Sequence, residues 1–188
     1  SHRVQSRASR RETMGGGGAL ANHIFVYGTL KRNHPNHFLL EDLISKNDAV
    51  YVGQRTTRLS YPLVTGLYGI PYLINQPGSG QRIRGELYSV SKRGLVRLDE
   101  LEGIKVEHYE RLPVEVVEEE EEESNGVVLA EAYFAHRRFG ERLWEKRGKL
   151  GMCEFGVNDG VLYVRPKDRP RFSSVIDEIE AFVSSTND

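Results

Sequence analysis

"HIFVYGTLKRNHPNH", residues 23–37, opens as an apolar strand over Ile24–Tyr27 and breaks at Gly28. Thr29 and Leu30 follow, then two cations and two histidines. A strand that ends Tyr27-Gly28-Thr29-Leu30 exposes successive backbone N–H groups where no side chain at Gly28 blocks approach. Such concavities favour carboxylates or developing oxyanions. A plain strand-to-helix turn, needing glycine only for its dihedral angles, has the same pattern. The turn therefore acquires meaning only from what the rest of the chain brings to it.

After the turn, "HPNHFLLEDLIS" (34–45) predicts a helix with Phe38, Leu39, Leu43 and Leu40 toward one face. "AVYVGQRTTRL" (49–59) and "PYLINQPGSG" (71–80) have strand composition, the second ending in a Pro77-Gly78-Ser79-Gly80 turn. In "QRIRGELYSVS" (81–91), Ile83, Gly85 and Leu87 alternate with Arg84, Glu86 and Tyr88, which predicts a half-buried strand with the second set outward. "SKRGLVRLDELEG" (91–103) predicts a short amphipathic helix. Ser91 is its N-cap, Leu95, Leu98 and Leu101 repeat on one face, and Gly103 is a left-handed stop just after Glu102. "YERLPVEVVE" and "GVVLAEAYFAH" form a hairpin whose tip is acidic, Glu118–Glu123 being a solvated run of like charge. Residues 140–150 and "SVIDEIEAFV" (174–183) add two helices, the first of them on the surface. The expected class is α+β, with a mostly antiparallel or mixed sheet able to close into a barrel.

At 188 residues and 38% hydrophobic content the chain supports one substantial core. Residues 1–22, rich in Ser, Arg and Gly, are expected to be a disordered tail or transit remnant, with Met14 a candidate start. Residues 23–165 are expected to form the folded domain, and 166–188 a C-terminal helix and tail. A formal net charge of -1 gives no basic footprint for nucleic acid. The longest apolar runs fall short of the roughly 20 residues of a membrane span, and the single Cys153 has no disulfide partner. A reduced, cytoplasmic protein is expected. The spacings that mark zinc, nucleotide and dinucleotide sites are absent from the sequence.

Among candidate groups, Asp99 and Glu102 share a helical face with Leu95, Leu98 and Leu101, so one carboxylate is expected at the core edge. Burial at the negative end of a helix would raise the pKa of Glu102, which suits proton transfer near neutrality. A merely solvated acidic stretch fits the composition equally. His34 and His37 have ligand-like spacing, but Pro35 interrupts it and no third ligand is near; polar roles at a helix start suffice. Cys153 has no evident catalytic partner. Tyr61, Tyr68, Tyr72, Tyr88, Tyr109 and Tyr133 are expected in the core with each hydroxyl partnered, one or two of them lining a pocket.

Taken together, "FVYGTLKRNHPNH", "YPLV", "IPYLINQPGSG", "RGELYSVS", "LVRLDELEG" and "YERLPVEV" resemble the γ-glutamyl cyclotransferase-like superfamily. The resemblance is strongest to its γ-glutamylamine cyclotransferase branch and the related avirulence-induced plant proteins. It covers about Ile24 to Arg138, and nothing in 137–156 or the last helix contributes to it. It implies a partly open mixed β-barrel with flanking helices. It also implies a cavity where the Tyr27, Gly28, Thr29 and Leu30 loop, as substrate-binding segment, meets a catalytic glutamate, Glu102. The implied reaction is cleavage of a γ-glutamyl amide by the substrate's own α-amine, releasing 5-oxoproline and a free amine, with no metal or cofactor. The implied partner is a small γ-glutamyl amine or peptide, with no nucleic acid, membrane or obligate protein partner. A non-catalytic binding module on the same fold and a γ-glutamyl acyltransferase are the alternatives.

Overall fold

A computed structural model describes residues 19–118, 126–170 and 173–186. Most of the expected N-terminal tail and the acidic run from Glu119 onward lie outside the described residues. Chain order is β1 (Asn22–Val26), α1 (His37–Ser45), β2 (Ala49–Tyr61), β3 (Leu63–Thr65), β4 (Pro71–Leu73), β5 (Gln81–Val90) and α2 (Lys92–Leu101). It continues with β6 (Tyr109–Val117), β7 (Val128–Ala135), α3 (Gly140–Lys146), α4 (Val157–Val161) and α5 (Val175–Ser184).

The strands pair in the order β1-β5-β2-β6-β7-β4-β3, and a parallel contact between β1 and β7 at Ile24 and Glu131 closes the first five into a barrel. β4 joins β7 in parallel and β3 joins β4 antiparallel, so the sheet is mixed as expected. The α+β barrel with flanking helices is thus the architecture. Among the described residues no helix is long and apolar enough to cross a membrane.

Alternation along β1 divides the core in two. Phe25 and Tyr27 join Leu87, Val114, Ala132 and Phe134 between the strands, while Ile24 and Val26 join Leu40, Leu43 and Leu98 beneath α1 and α2. Both faces of β1 and of β5 from Gly85 onward are therefore covered; Arg84 is exposed as expected, while the expected outward placement of Glu86 and Tyr88 is corrected. Glu86 and Tyr88 are buried, at 3% and 0% exposure. Glu86 is held there because it accepts from the backbone N–H of Arg32 at 2.9 Å, from Arg32 Nε at 3.1 Å and from the Tyr88 hydroxyl at 3.2 Å.

Other boundaries differ locally. The strand expected in 71–80 is limited to Pro71–Leu73. Phe38 is 53% exposed rather than on the inner face of α1, whose buried residues are Leu40 and Leu43. α3 is less superficial than expected, because Leu143 and Trp144 are buried, and Arg142 donates to Glu180 of α5 at 2.6 Å. α5 adds Ile176 and Ile179 to the core beneath the helices.

At Gly85 β5 passes close against β1, since a Cβ there would fall on the Val26 carbonyl oxygen and 2.6 Å from the Phe25 ring. Gly85→Ala is expected to lower stability by about 3 kcal/mol through this overpacking, read as a lower urea midpoint at unchanged slope.

Candidate active site

The loop after β1 is shaped by its own backbone. Lys31 N–H donates to the Gly28 carbonyl at 3.1 Å and Asn36 N–H to the Thr29 carbonyl at 2.9 Å. The Asn36 side chain also donates to Thr29 Oγ1 at 3.0 Å. These bonds occupy carbonyls and a hydroxyl. The N–H groups of Gly28, Thr29 and Leu30 donate to no protein acceptor among the described residues. Gly28 has no positive φ; it is required because a Cβ would lie 2.6 Å from Pro71 Cγ.

Tyr27 holds the loop against the barrel. Its hydroxyl donates to the Tyr133 carbonyl at 2.6 Å and accepts from Leu73 N–H at 3.2 Å, so it is fully engaged in joining β1 to β7 and β4. Tyr27 itself lines the cavity described below, and the free amides belong to the three residues after it. Leu30 is buried at 6% exposure, and its carbonyl accepts from His37 Nδ1 at 2.8 Å. His34 uses both ring nitrogens on backbone carbonyls, those of Arg32 and Phe155, each at 2.9 Å. The two histidines therefore support loops rather than converge.

The opposite wall comes from α2. Ser91 caps it by accepting from Gly94 N–H at 3.0 Å, and Gly103 turns the chain away with φ 64°, as expected. Asp99 and Glu102 part company in environment. Asp99 accepts from the Tyr133 hydroxyl at 2.8 Å and pairs with Arg111 at 3.2 Å, which fixes the end of α2 on the barrel rim. Glu102 receives no hydrogen bond or ion pair from any described residue. Its side chain is half-buried and faces the cavity, and desolvation by the surrounding protein pushes its pKa from 4.5 to about 7.

A cavity of about 40 Å³ separates the two walls, lined by Gly28, Thr29, Leu30, Pro71, Tyr109 and Glu102 among others. It adjoins a cleft of about 590 Å³ that shares Thr29, Leu30, Pro71, Tyr109 and Glu102 in its lining. The loop and the glutamate thus face the same space. Tyr109 keeps its hydroxyl on the Pro71 carbonyl at 2.9 Å and so presents mainly its ring.

A small compartment walled by free amides and one desolvated acid, beside a larger one, suits a ligand with a compact polar head. Residues 24–149 match the family described as gamma-glutamyl cyclotransferase, AIG2-like. The chain belongs to that family. It is 45% identical over 174 residues to the Arabidopsis thaliana protein named "Putative gamma-glutamylcyclotransferase At3g02910", covering 88% of this chain and 93% of that protein. It is 34% identical over 167 residues to gamma-glutamylaminecyclotransferase B of Danio rerio, covering 88% of this chain and 84% of that protein. A crystal structure of an AIG2-like protein from Mus musculus superimposes with a TM-score of 0.54 at 37% identity, over 61% of this chain and 76% of that one.

The outer cleft contains residues that sequence reasoning did not single out. His108 is neutral, its pKa lowered to about 4 by burial and then by Arg169, and its Nε2 meets the Tyr72 hydroxyl at 2.7 Å. Tyr163, Arg165, Lys167 and Arg169 come from beyond the family match. No local pattern announces them, since only the fold returns this segment to the loop after β1.

Because the folded-state pKa of Glu102 is raised, its ionisation opposes folding. The penalty is absent below the unfolded value near 4.5, grows as pH rises, and is complete above about 7. Removing the charge in Glu102→Gln should therefore raise stability at pH 8 by about 2 kcal/mol and change it little at pH 4.5, measured by urea unfolding at both pH values.

Proposed function

We propose that this chain is a γ-glutamyl cyclotransferase that cleaves a γ-glutamyl amide by intramolecular attack of the substrate's α-amine. The observation that carries this reading is the unpartnered Glu102 carboxylate, with its pKa near 7, in one cavity with the free amides of Gly28, Thr29 and Leu30.

The α-amine arrives as an ammonium and becomes nucleophilic when Glu102 takes a proton from it. The amine nitrogen then bonds to the γ-carbonyl carbon and closes a five-membered ring, and charge gathers on the carbonyl oxygen. The loop amides are suited to that oxyanion or to the substrate α-carboxylate, and their fixed orientation avoids reorganisation during the reaction. Collapse of the tetrahedral centre breaks the original C–N bond as Glu102 returns its proton to the departing amine, and the ring nitrogen loses its second proton, which the freed amine takes up as it becomes an ammonium. One molecule of 5-oxoproline and one free amine result, with no redox change and no co-reactant. Because the attack is intramolecular, holding the γ-glutamyl group folded supplies much of the acceleration; effective molarities of about 10⁵ M are typical of well-oriented cases. A carboxylate with a pKa near the working pH serves as both acceptor and donor, which an ordinary exposed glutamate would not.

Release of 5-oxoproline from a panel of γ-glutamyl amides tests the proposal. Turnover is expected with at least one member, and Glu102→Gln should lower kcat/KM by about 10²-fold or more while the protein stays folded. An acid limb in the pH dependence of kcat/KM, with its midpoint near 7, is expected in the parent enzyme. Absence of turnover, with ligand still raising the melting temperature, would instead make the site a binding module. Transfer to another amine without 5-oxoproline would make it an acyltransferase.

A further inference from the structure

Three consecutive residues of the loop after β1, His34, Pro35 and Asn36, are each held from outside by the stretch of chain between α3 and α5. His34 Nε2 meets the Phe155 carbonyl at 2.9 Å, Arg165 donates to the Pro35 carbonyl at 3.0 Å, and Asn36 Nδ2 donates to the Tyr163 hydroxyl at 3.1 Å. Pro35 is also packed on α4, where a Cβ at Gly160 would lie 3.2 Å from the proline Cδ. Phe155, Gly160, Tyr163 and Arg165 all lie beyond residue 149, where the family match ends.

This outer stretch is itself fastened. Phe155 is fully buried in the same apolar cluster as Phe25 and Tyr27, Met152 N–H donates to the Leu63 carbonyl at 2.9 Å, and the Cys153 carbonyl accepts from Arg84 N–H at 2.8 Å. Tyr163 is placed by its N–H on the Gly160 carbonyl at 3.2 Å, by Val164 N–H on the Tyr68 carbonyl at 2.9 Å, and by the Arg169 guanidinium over its ring at 5.4 Å. The contact through Asn36 runs on to the free amides. Asn36 grips Thr29 twice, with its backbone N–H on the Thr29 carbonyl at 2.9 Å and its Nδ2 on Thr29 Oγ1 at 3.0 Å. A side-chain amide has two N–H hydrogens, so Asn36 gives one to Thr29 and the other to Tyr163. Remove the Tyr163 hydroxyl and one of those hydrogens has only the water of the cleft, so rotamers of Asn36 that abandon Thr29 compete with the one observed.

We propose that Tyr163 is a positioning residue for the reaction, its hydroxyl locking Asn36 across Thr29 and so fixing the direction of the loop amides. This rests on the function proposed above, in which those amides receive the oxyanion or the substrate α-carboxylate. Tyr163 acts through Asn36 and has no need to touch the reacting atoms. Donors that must be aimed to within a fraction of an ångström depend on the hydrogen bonds behind them, because a loop free to turn spends part of its time misdirected. The hydroxyl that completes this support belongs to the part of the chain outside the family match, and the amides it serves belong to the part inside it.

A double-mutant cycle on Tyr163→Phe and Asn36→Ala tests the proposal, since Tyr163→Phe keeps the ring under Arg169 and removes one oxygen. In the parent background Tyr163→Phe is expected to lower kcat/KM by about 5-fold, the worth of one neutral hydrogen bond. Asn36→Ala should lower it too, and adding Tyr163→Phe to that variant should change it by less than about 2-fold, because the path from Tyr163 to Thr29 is already cut. An equal loss in both backgrounds, as a direct contact with substrate or a general packing role would give, or no loss in either, would overturn the proposal. Nitrogen-15 relaxation of the Thr29 amide reads the same link without turnover. Its order parameter is expected near the ~0.85 of rigid backbone in the parent and lower in Tyr163→Phe, and an unchanged value would overturn the link. If no γ-glutamyl amide is turned over, the proposed reaction fails while the relaxation comparison still decides the role of Tyr163; it decides equally if Asn36→Ala does not fold.

Discussion

Ionising a carboxylate that the protein desolvates and gives no donor raises the free energy of the folded state, and Glu102 is held in that setting. Every other feature of the site follows from how the fold sustains it. α2 is stopped by Gly103 one residue later, so Glu102 sits at the negative end of the helix, where the peptide dipoles also oppose ionisation. Asp99, one turn earlier, takes the hydrogen bond from Tyr133 and the ion pair with Arg111 that Glu102 lacks. The rim is thus fastened by one acid, and the other is left unpartnered.

The opposite wall is equally constrained. Tyr27 is fixed at both lone pair and proton, Arg32 is tied to the buried Glu86, and Asn36 reaches back to Thr29. These contacts hold the loop by its flanks and carbonyls, so the three intervening amides remain available without becoming mobile. Rigid placement matters because an oxyanion site is effective only if its donors need no rearrangement during reaction. The barrel contributes the frame: β1 carries the loop, β6 and β7 supply Tyr109 and Tyr133, and β1–β7 contact brings them together.

Much of this was legible locally. β1 is marked by its apolar run and the β6–β7 hairpin by two β-rich runs around an acidic tip, and Ser91 and Gly103 bracket α2 because capping depends on neighbouring residues alone. The resemblance supplied the pairing of Glu102 with the β1 loop, which spacing could not. What escaped reading depends on distant partners. Glu86 looked solvent-facing until Arg32, 54 residues away, accounts for its burial. Phe38 looked internal because helical periodicity cannot say which of two adjacent apolar residues the core accepts. The cationic lining of the outer cleft lies more than 60 residues beyond Glu102, and an Arg-Pro-Lys-Asp-Arg segment has no pattern of its own that predicts a cavity.

Carbon-13 NMR of the glutamate carboxyl groups measures the suppressed acidity of Glu102 without requiring turnover. The resonance absent from Glu102→Gln identifies the residue, and its titration midpoint in the parent protein is expected near 7. A midpoint near the ordinary 4.5 would show a solvated carboxylate and contradict the account.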